Sequence, residues 1–193
     1  MTKLKVCGIA TLNDAIELAK LNVHMLGFVT DPISPRYVKF DFLNFLKSLT
    51  LPLVSVNVFN IRDAIRRTPS NFLIQVHRIL NDDEMDIMTT YERKFIMYVP
   101  MSERYLPYLE KALNLTGMVL LDLERKSDKP DLNFASKVLK DHPEVGIGGG
   151  INLDNVREFL KLEPGWIDVS RGVEDFPGKK NLNKVRKLLE VIA

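Results

Sequence analysis

The chain has 193 residues, 46% of them hydrophobic and 27% charged, a composition that excludes collagen-like, mucin-like and disordered classes. A net charge of +2 gives no polybasic surface for nucleic acid, and a single cysteine, Cys7, excludes an internal disulfide or a cysteine-rich zinc site. No apolar run is long enough for a membrane span and the charged start MTKLKV is unlike a signal peptide, so a cytoplasmic location is expected.

Short β-branched runs alternate with amphipathic stretches along the whole chain. LKVCGI (4–9) reads as a strand, followed by the helix LNDAIELAKL (12–21). HMLGFVT (24–30) and DFLNFLKSL (41–49) form the next strand and helix, then LPLVSVNVF (51–59) and RDAIRRT (62–68). NFLIQVH (71–77) precedes a weaker helix, DEMDIMTTY (83–91), and KFIMYV (94–99) precedes RYLPYLEKAL (104–113). TGMVLLDL (116–123) leads to NFASKVLKD (133–141), and EVGIGGGI (144–151) to NVREFLKL (155–162). The last strand, WIDVSRGV (166–173), is followed by NLNKVRKLLEVI (181–192). There Leu182, Val185, Leu188, Leu189 and Ile192 keep the spacing of one buried helix face.

Eight such units of about 24 residues lie near the minimum for a strand, a helix and two turns. Short buried strands each followed by a helix imply a parallel sheet covered by helices. Eight units fit closure into an α/β (β/α)8 TIM barrel, with an open doubly wound sheet as the competing arrangement. No Pro/Gly/Ser-rich linker divides the chain, so residues 1–193 read as a single domain.

A parallel barrel carries its chemistry at the C-terminal strand ends and in the loops that follow them. That places Cys7, Asn57, Gln75, His77, Asp122, the glycines of GIGGGI, Asp168 and Ser170 near one mouth. Strand alternation puts Gln75 with His77, and Asp168 with Ser170, on shared faces. Each has a plainer reading. Cys7 suits a small buried hydrophobe, Asp122 a loop cap, and His77 a satisfied histidine at the mouth. His24 and His142 fall at the wrong ends of their elements for catalysis, and no second ligand stands at metal spacing, so no metal is expected.

GIGGGINLDNV (146–156) is more specific, because glycines end a strand just before a helix that Asn152 or Asp154 could cap. Close backbone approach and free N–H groups suit a phosphate, and Ser170, Arg171 and Gly172 of the last loop lie beside it. In DPISPRYV (31–38), two prolines stiffen a loop around Arg36, a fork suited to a carboxylate, although an ordinary surface arginine fits too.

KVCGI (5–9), GFV (27–29), SPRYV (34–38), QVH (75–77), LLD (120–122), GGINLDNV (149–156) and DVSRGVEDFPGKK (168–180) together resemble the phosphoribosylanthranilate isomerase family, in order and over nearly the whole chain. The resemblance implies a cofactor-free barrel enzyme of tryptophan biosynthesis that performs an Amadori rearrangement on a small phosphoribosyl substrate. By that resemblance Cys7 is the general base and Asp122 the general acid. Arg36 holds the anthranilate carboxylate. His77 and Asp168 contact substrate, and Gly149, Gly150, Ser170, Arg171 and Gly172 hold the phosphate. A monomer or a homodimer is compatible with the sequence.

The residue types suit that chemistry. Ring opening needs a proton on the ribose oxygen, and leucines around Asp122 favour the protonated carboxyl. Removing the C2 proton needs a thiolate, and nothing in the sequence identifies what would supply it at Cys7. The chain also departs from the family pattern. The segment ERKSDKPDLNF (124–134) lacks the usual glycines of a mobile cover, Arg78 and Arg171 replace smaller residues, and Asn57 replaces a small one. The altered cover motivates a second reading, a non-catalytic barrel that binds phosphorylated ligands. A third is an isomerase for another aminated phosphoribosyl substrate, such as the histidine-pathway aminoaldose. Such enzymes use two strand-end aspartates, where this chain has Cys7 and no acid in KFIMYV.

Overall fold

Strand alternation divides every strand between two environments, and the computed structural model, which describes residues 1–193, shows both. The strands are β1 (Lys3–Cys7), β2 (Met25–Val29), β3 (Leu53–Asn57), β4 (Leu73–Val76), β5 (Phe95–Pro100), β6 (Val119–Asp122), β7 (Gly146–Ile147) and β8 (Trp166–Val169). They close into an eight-stranded barrel in sequence order, every neighbouring pair parallel. Open sheet edges are thereby abolished. The doubly wound alternative does not occur.

One set of alternating side chains, including Leu4, Val6, Leu26, Phe28, Ile74, Val76 and Leu121, packs outward against the helices. The other set forms a smaller separate cluster inside the barrel, of Cys7, Met25, Val54, Val56, Ile96, Leu120 and Trp166. The Trp166 indole fills the space beside Gly146, which a side chain there would overlap. Side chains layered in this way make the interior a packed core below and leave a mouth only above.

The helices are α1 (Leu12–Lys20), α2 (Ile61–Arg67), α3 (Asp82–Thr89), α4 (Leu106–Leu115), α5 (Leu132–Asp141), α6 (Val156–Leu160) and, last, α7 (Leu182–Ile192). Thr11, Asn60, Asn81, Asp131 and Asn181 each precede a helix and accept a hydrogen bond from the backbone N–H three residues on. Each such cap contributes about 1 kcal/mol. Asn81 forms a full capping box with Glu84.

Four local expectations need correction. Residues Phe40–Leu46 form a 3-10 helix and not an α-helix; Phe40, Leu43 and Leu46 are its buried residues, and their period of three is the 3-10 repeat. A short 3-10 turn at Glu103–Tyr105 precedes α4, which begins at Leu106 and holds Pro107 in its first turn, where proline is tolerated. Neither Asn152 nor Asp154 caps α6: Asn155 stands at that position without a side-chain cap bond. The Asn152 side chain instead accepts from the N–H groups of Asp154 and Asn155, building the turn itself.

The eighth strand stops at Val169, short of 173, and the chain runs through a 3-10 turn, Arg171–Val173, into a hairpin. Its strands, β9 (Glu174–Phe176) and β10 (Lys179–Lys180), are antiparallel and were not expected. The signal was present, since Pro177 followed by Gly178 at φ 87° is the residue order a type II turn requires.

Candidate active site

The mouth of the barrel opens into a cavity of about 440 Å³. Cys7, Arg36, His77, Asp122, Gly149, Gly150, Asp168, Ser170, Arg171 and Gly172 all line it, so the structure brings every expected site residue together. Asn57 is the exception among the strand-end polar residues. It is buried away from the cavity, and its Oδ1 accepts from the Asn60 N–H ahead of α2. Val56 and Val58 face the cavity in its place, as alternation requires.

Cys7 ends β1 beside Gly27 of β2, where a side chain would press on its sulfur. Asp122 ends β6 beside Gly148, where a side chain would collide with its carboxylate. Both side chains therefore occupy space that glycine leaves open. Burial pushes Asp122 up to about 6, as its flanking leucines imply, although the Leu123 N–H donates to its Oδ1 at 2.6 Å. Burial also pushes the Cys7 thiol up, against the charges of Lys5 and Lys180.

His77 Nε2 lies 3.9 Å from Asp122 Oδ2, beyond hydrogen-bond length. Burial lowers the imidazole to about 4, so the ring is neutral at physiological pH. Gln75 Nε2 donates to its Nδ1 at 3.0 Å, which leaves the ring proton on Nε2, and the ring rests on Tyr98 at 4.5 Å between centroids. The Tyr98 hydroxyl donates to the Leu123 carbonyl at 3.0 Å, fixing the turn that carries Asp122. Tyr98 was missed because it sits in the apolar run KFIMYV.

Arg36 reaches the cavity already engaged. Its Nε and Nη2 donate to the two Glu174 oxygens at 2.7 and 2.6 Å, while Nη1 has no protein partner. Glu174 also accepts from Lys180 Nζ at 2.7 Å and from the Gly178 N–H. Lys180, fully buried, donates further to the Cys7 carbonyl at 2.6 Å and to the Ser170 carbonyl at 3.4 Å. Burial works against the Glu174 charge, but Arg36 and Lys180 outweigh it and hold the carboxyl below its ordinary value. The hairpin β9–β10 thus ties the loop of Arg36 to the ends of β1 and β8.

On the far side, Gly149 and Gly150 have φ of 110° and 76°, a left-handed backbone open to glycine. Their N–H groups donate to no protein acceptor. Of the cations in segment 124–134, only Lys126 lines the cavity. Glu124 is held by Arg104 and by the Tyr105 hydroxyl, and Asp131 caps α5. Arg78, an unexpected residue after the histidine, donates to the carbonyls of Val58, Phe59 and Ile79 and pairs with both Glu84 oxygens. It braces two loops at the mouth against α3. No group of three His, Cys, Asp or Glu side chains is placed to hold a metal ion, and no helix is long and apolar enough to cross a membrane.

Comparison with known proteins converges on one family. The family profile of N-(5'-phosphoribosyl)anthranilate (PRA) isomerase matches residues 4–191. The N-(5'-phosphoribosyl)anthranilate isomerase of Saccharolobus solfataricus is 43% identical over all of this chain and 96% of its own length. Phosphoribosylanthranilate isomerase of Thermotoga maritima superposes with a TM-score of 0.84 at 26% identity, covering 100% of this chain and 98% of the other. A phosphoribosyl anthranilate isomerase solved with reduced 1-(o-carboxyphenylamino)-1-deoxyribulose 5-phosphate superposes at 0.80, again at 26% identity and over 100% and 98% of the two chains. A closed parallel barrel and a match running from its first strand to its last helix lead to one conclusion: the chain belongs to the N-(5'-phosphoribosyl)anthranilate isomerase family.

Proposed function

We propose that the chain converts N-(5-phosphoribosyl)anthranilate to 1-(2-carboxyphenylamino)-1-deoxyribulose 5-phosphate, a step of tryptophan biosynthesis in the cytoplasm. One observation carries this reading: a thiol from β1 and a protonatable carboxyl from β6 open on the same cavity as the glycine amides and Arg36. Asp122 donates its proton to the ribose ring oxygen as the C1–O bond opens and the anilino nitrogen forms an iminium. Cys7, as thiolate, takes the C2 proton, and the resulting enolamine tautomerises to the amino ketone. Free N–H groups at Gly149 and Gly150, with Ser170, Arg171 and Gly172, suit the phosphate; the unpartnered Nη1 of Arg36 suits the carboxylate. His77, neutral with its proton on Nε2, suits a ligand oxygen, as does the unpartnered Asp168 Oδ1 a ligand hydroxyl or amine. The residues of 1–193 act as one domain in this reading.

Loss of fluorescence of the anthranilate adduct on mixing with the protein is the direct test. Tight binding of a product analogue without turnover would favour the non-catalytic barrel instead. Turnover of the histidine-pathway aminoaldose alone would favour the other isomerase.

The pH dependence has a definite sign. With Asp122 at about 6 and the thiol above its ordinary value, the resting pair near neutrality carries its single proton on sulfur. The reactive pair, thiolate with carboxylic acid, carries the same number of protons placed differently. Thus kcat/KM is expected to rise as pH increases through about 6 and to fall only where the thiol ionises. A profile that falls through pH 6 would contradict this pairing.

A further inference from the structure

Lys5 is the largest unexplained commitment of the barrel interior. Its side chain is fully buried, two residues before Cys7 on the same face of β1, and it lies in register opposite Asp168 of β8. An isolated buried ammonium is strongly disfavoured, so its position needs a reason. Lys5 Nζ donates to Asp168 Oδ2 at 2.9 Å, its one hydrogen bond to oxygen. The other carboxylate oxygen, Asp168 Oδ1, is buried with no partner. The pair is therefore incompletely satisfied; Lys5 shares a strand face with the thiol and Asp168 shares its cavity.

We propose that Lys5 is a positioning residue that sets the protonation of Cys7, with Asp168 as the counter-ion that restrains it while the site is empty. This rests on Cys7 being the base of the proposed reaction. Burial works against the ammonium, but Asp168 and the Cys7 sulfur together outweigh it and hold Lys5 charged, so ionised Cys7 can serve as its counter-ion when Asp168 is neutralised. The Lys5 charge, two residues below on the same strand face, favours thiolate as the thiol proton leaves to solvent. A ligand group that engages Oδ1 draws on the same carboxylate and leaves more of the Lys5 charge for the sulfur. Of the other cations around Cys7, Lys180 acts in the same direction but less strongly than Lys5, and it is already committed to Glu174 and to two carbonyls; Arg36 is committed to Glu174. Across the cavity His77 is neutral and Asp122 ends β6, while Arg171 lies in the turn after β8, beside β1.

The lone cysteine makes the test independent of turnover. Thiolate absorbance in the ultraviolet is titrated against pH, with Cys7→Ala as the blank. Lys5→Met is expected to move the midpoint up and Asp168→Asn to move it down, each by about one unit, or about tenfold in thiolate at a given pH. Alkylation by iodoacetamide, in which the thiolate displaces iodide, is expected to follow in the same directions. Opposite signs are the signature, because a merely structural defect would not reverse between the two variants. If Lys5→Met does not fold, Asp168→Asn alone decides. A midpoint that is unchanged or raised in Asp168→Asn overturns the proposal, as does an unchanged one in Lys5→Met. Should Cys7→Ala retain turnover while the midpoints still move apart, the base assignment fails and the electrostatic role of Lys5 stands.

Discussion

Cys7→Ala and Asp122→Asn are each expected to lower kcat by about 10²–10⁴, with KM little changed and the fold retained. The fold survives because neither side chain is part of the outer core. Cys7 lies at the cavity beside Gly27, and Asp122 at the mouth beside Gly148. Asparagine keeps the oxygen that accepts the Leu123 N–H, so the turn after β6 holds its shape while the proton donor is lost. Alanine at position 7 removes the proposed proton acceptor and leaves the proposed phosphate and carboxylate grips untouched. In the proposed reaction the two groups act on one sugar in succession, so the double variant is expected to be scarcely slower than the worse single one. Steady-state kinetics on all three variants measures this. Near wild-type turnover in both single variants would end the acid–base assignment.

Glu174→Gln is expected to lower stability by about 3 kcal/mol, at the lower end for breaking a buried ion pair. In a chain of this size that lowers Tm by about 10 °C. Glu174 is the common acceptor for Arg36, Lys180 and the Gly178 N–H, and its side chain is 5% exposed. Neutralising it leaves two buried cations facing an amide that can donate as well as accept. Burial shields the cluster from added salt, so the loss is expected to persist at high ionic strength, unlike that of an exposed pair. The pH dependence follows from the lowered carboxyl: its contribution is complete above the unfolded value of about 4.3 and drains away as pH falls through the lower folded one. Thermal melts of both proteins across that range, with and without salt, test all three statements.

The barrel was legible because its signal is local and repeated. Each strand is a short apolar run, and the period of two sorts its residues between shell and interior. Most of the cavity lining was legible too, since Cys7, His77, Asp122 and Asp168 interrupt such runs at their C-terminal ends. Resemblance added roles that spacing alone did not provide. What escaped was every interaction made across the barrel. Lys5 sits early in a strand, where a charged residue reads as solvent-facing, and only its register with Asp168 shows that it points inward. Glu174 and Lys180 lie in a charged loop segment that reads as surface, and only the fold of the hairpin buries them. Length told 3-10 from α at Phe40–Leu46 less well than the period of three would have.

The ammonium at the end of β10 reaches back across 173 residues to the carbonyl of Cys7. A nascent chain therefore presents the Cys7 sulfur long before the fastening for it has been made. Until the ribosome has released residues 166–180, β1 lacks its β8 partner as well as that fastening. Competence of the mouth is thus withheld until Lys180 has been made, and a product clipped before it would carry the sulfur, the carboxyl and the glycine amides without the seam that keeps them in register.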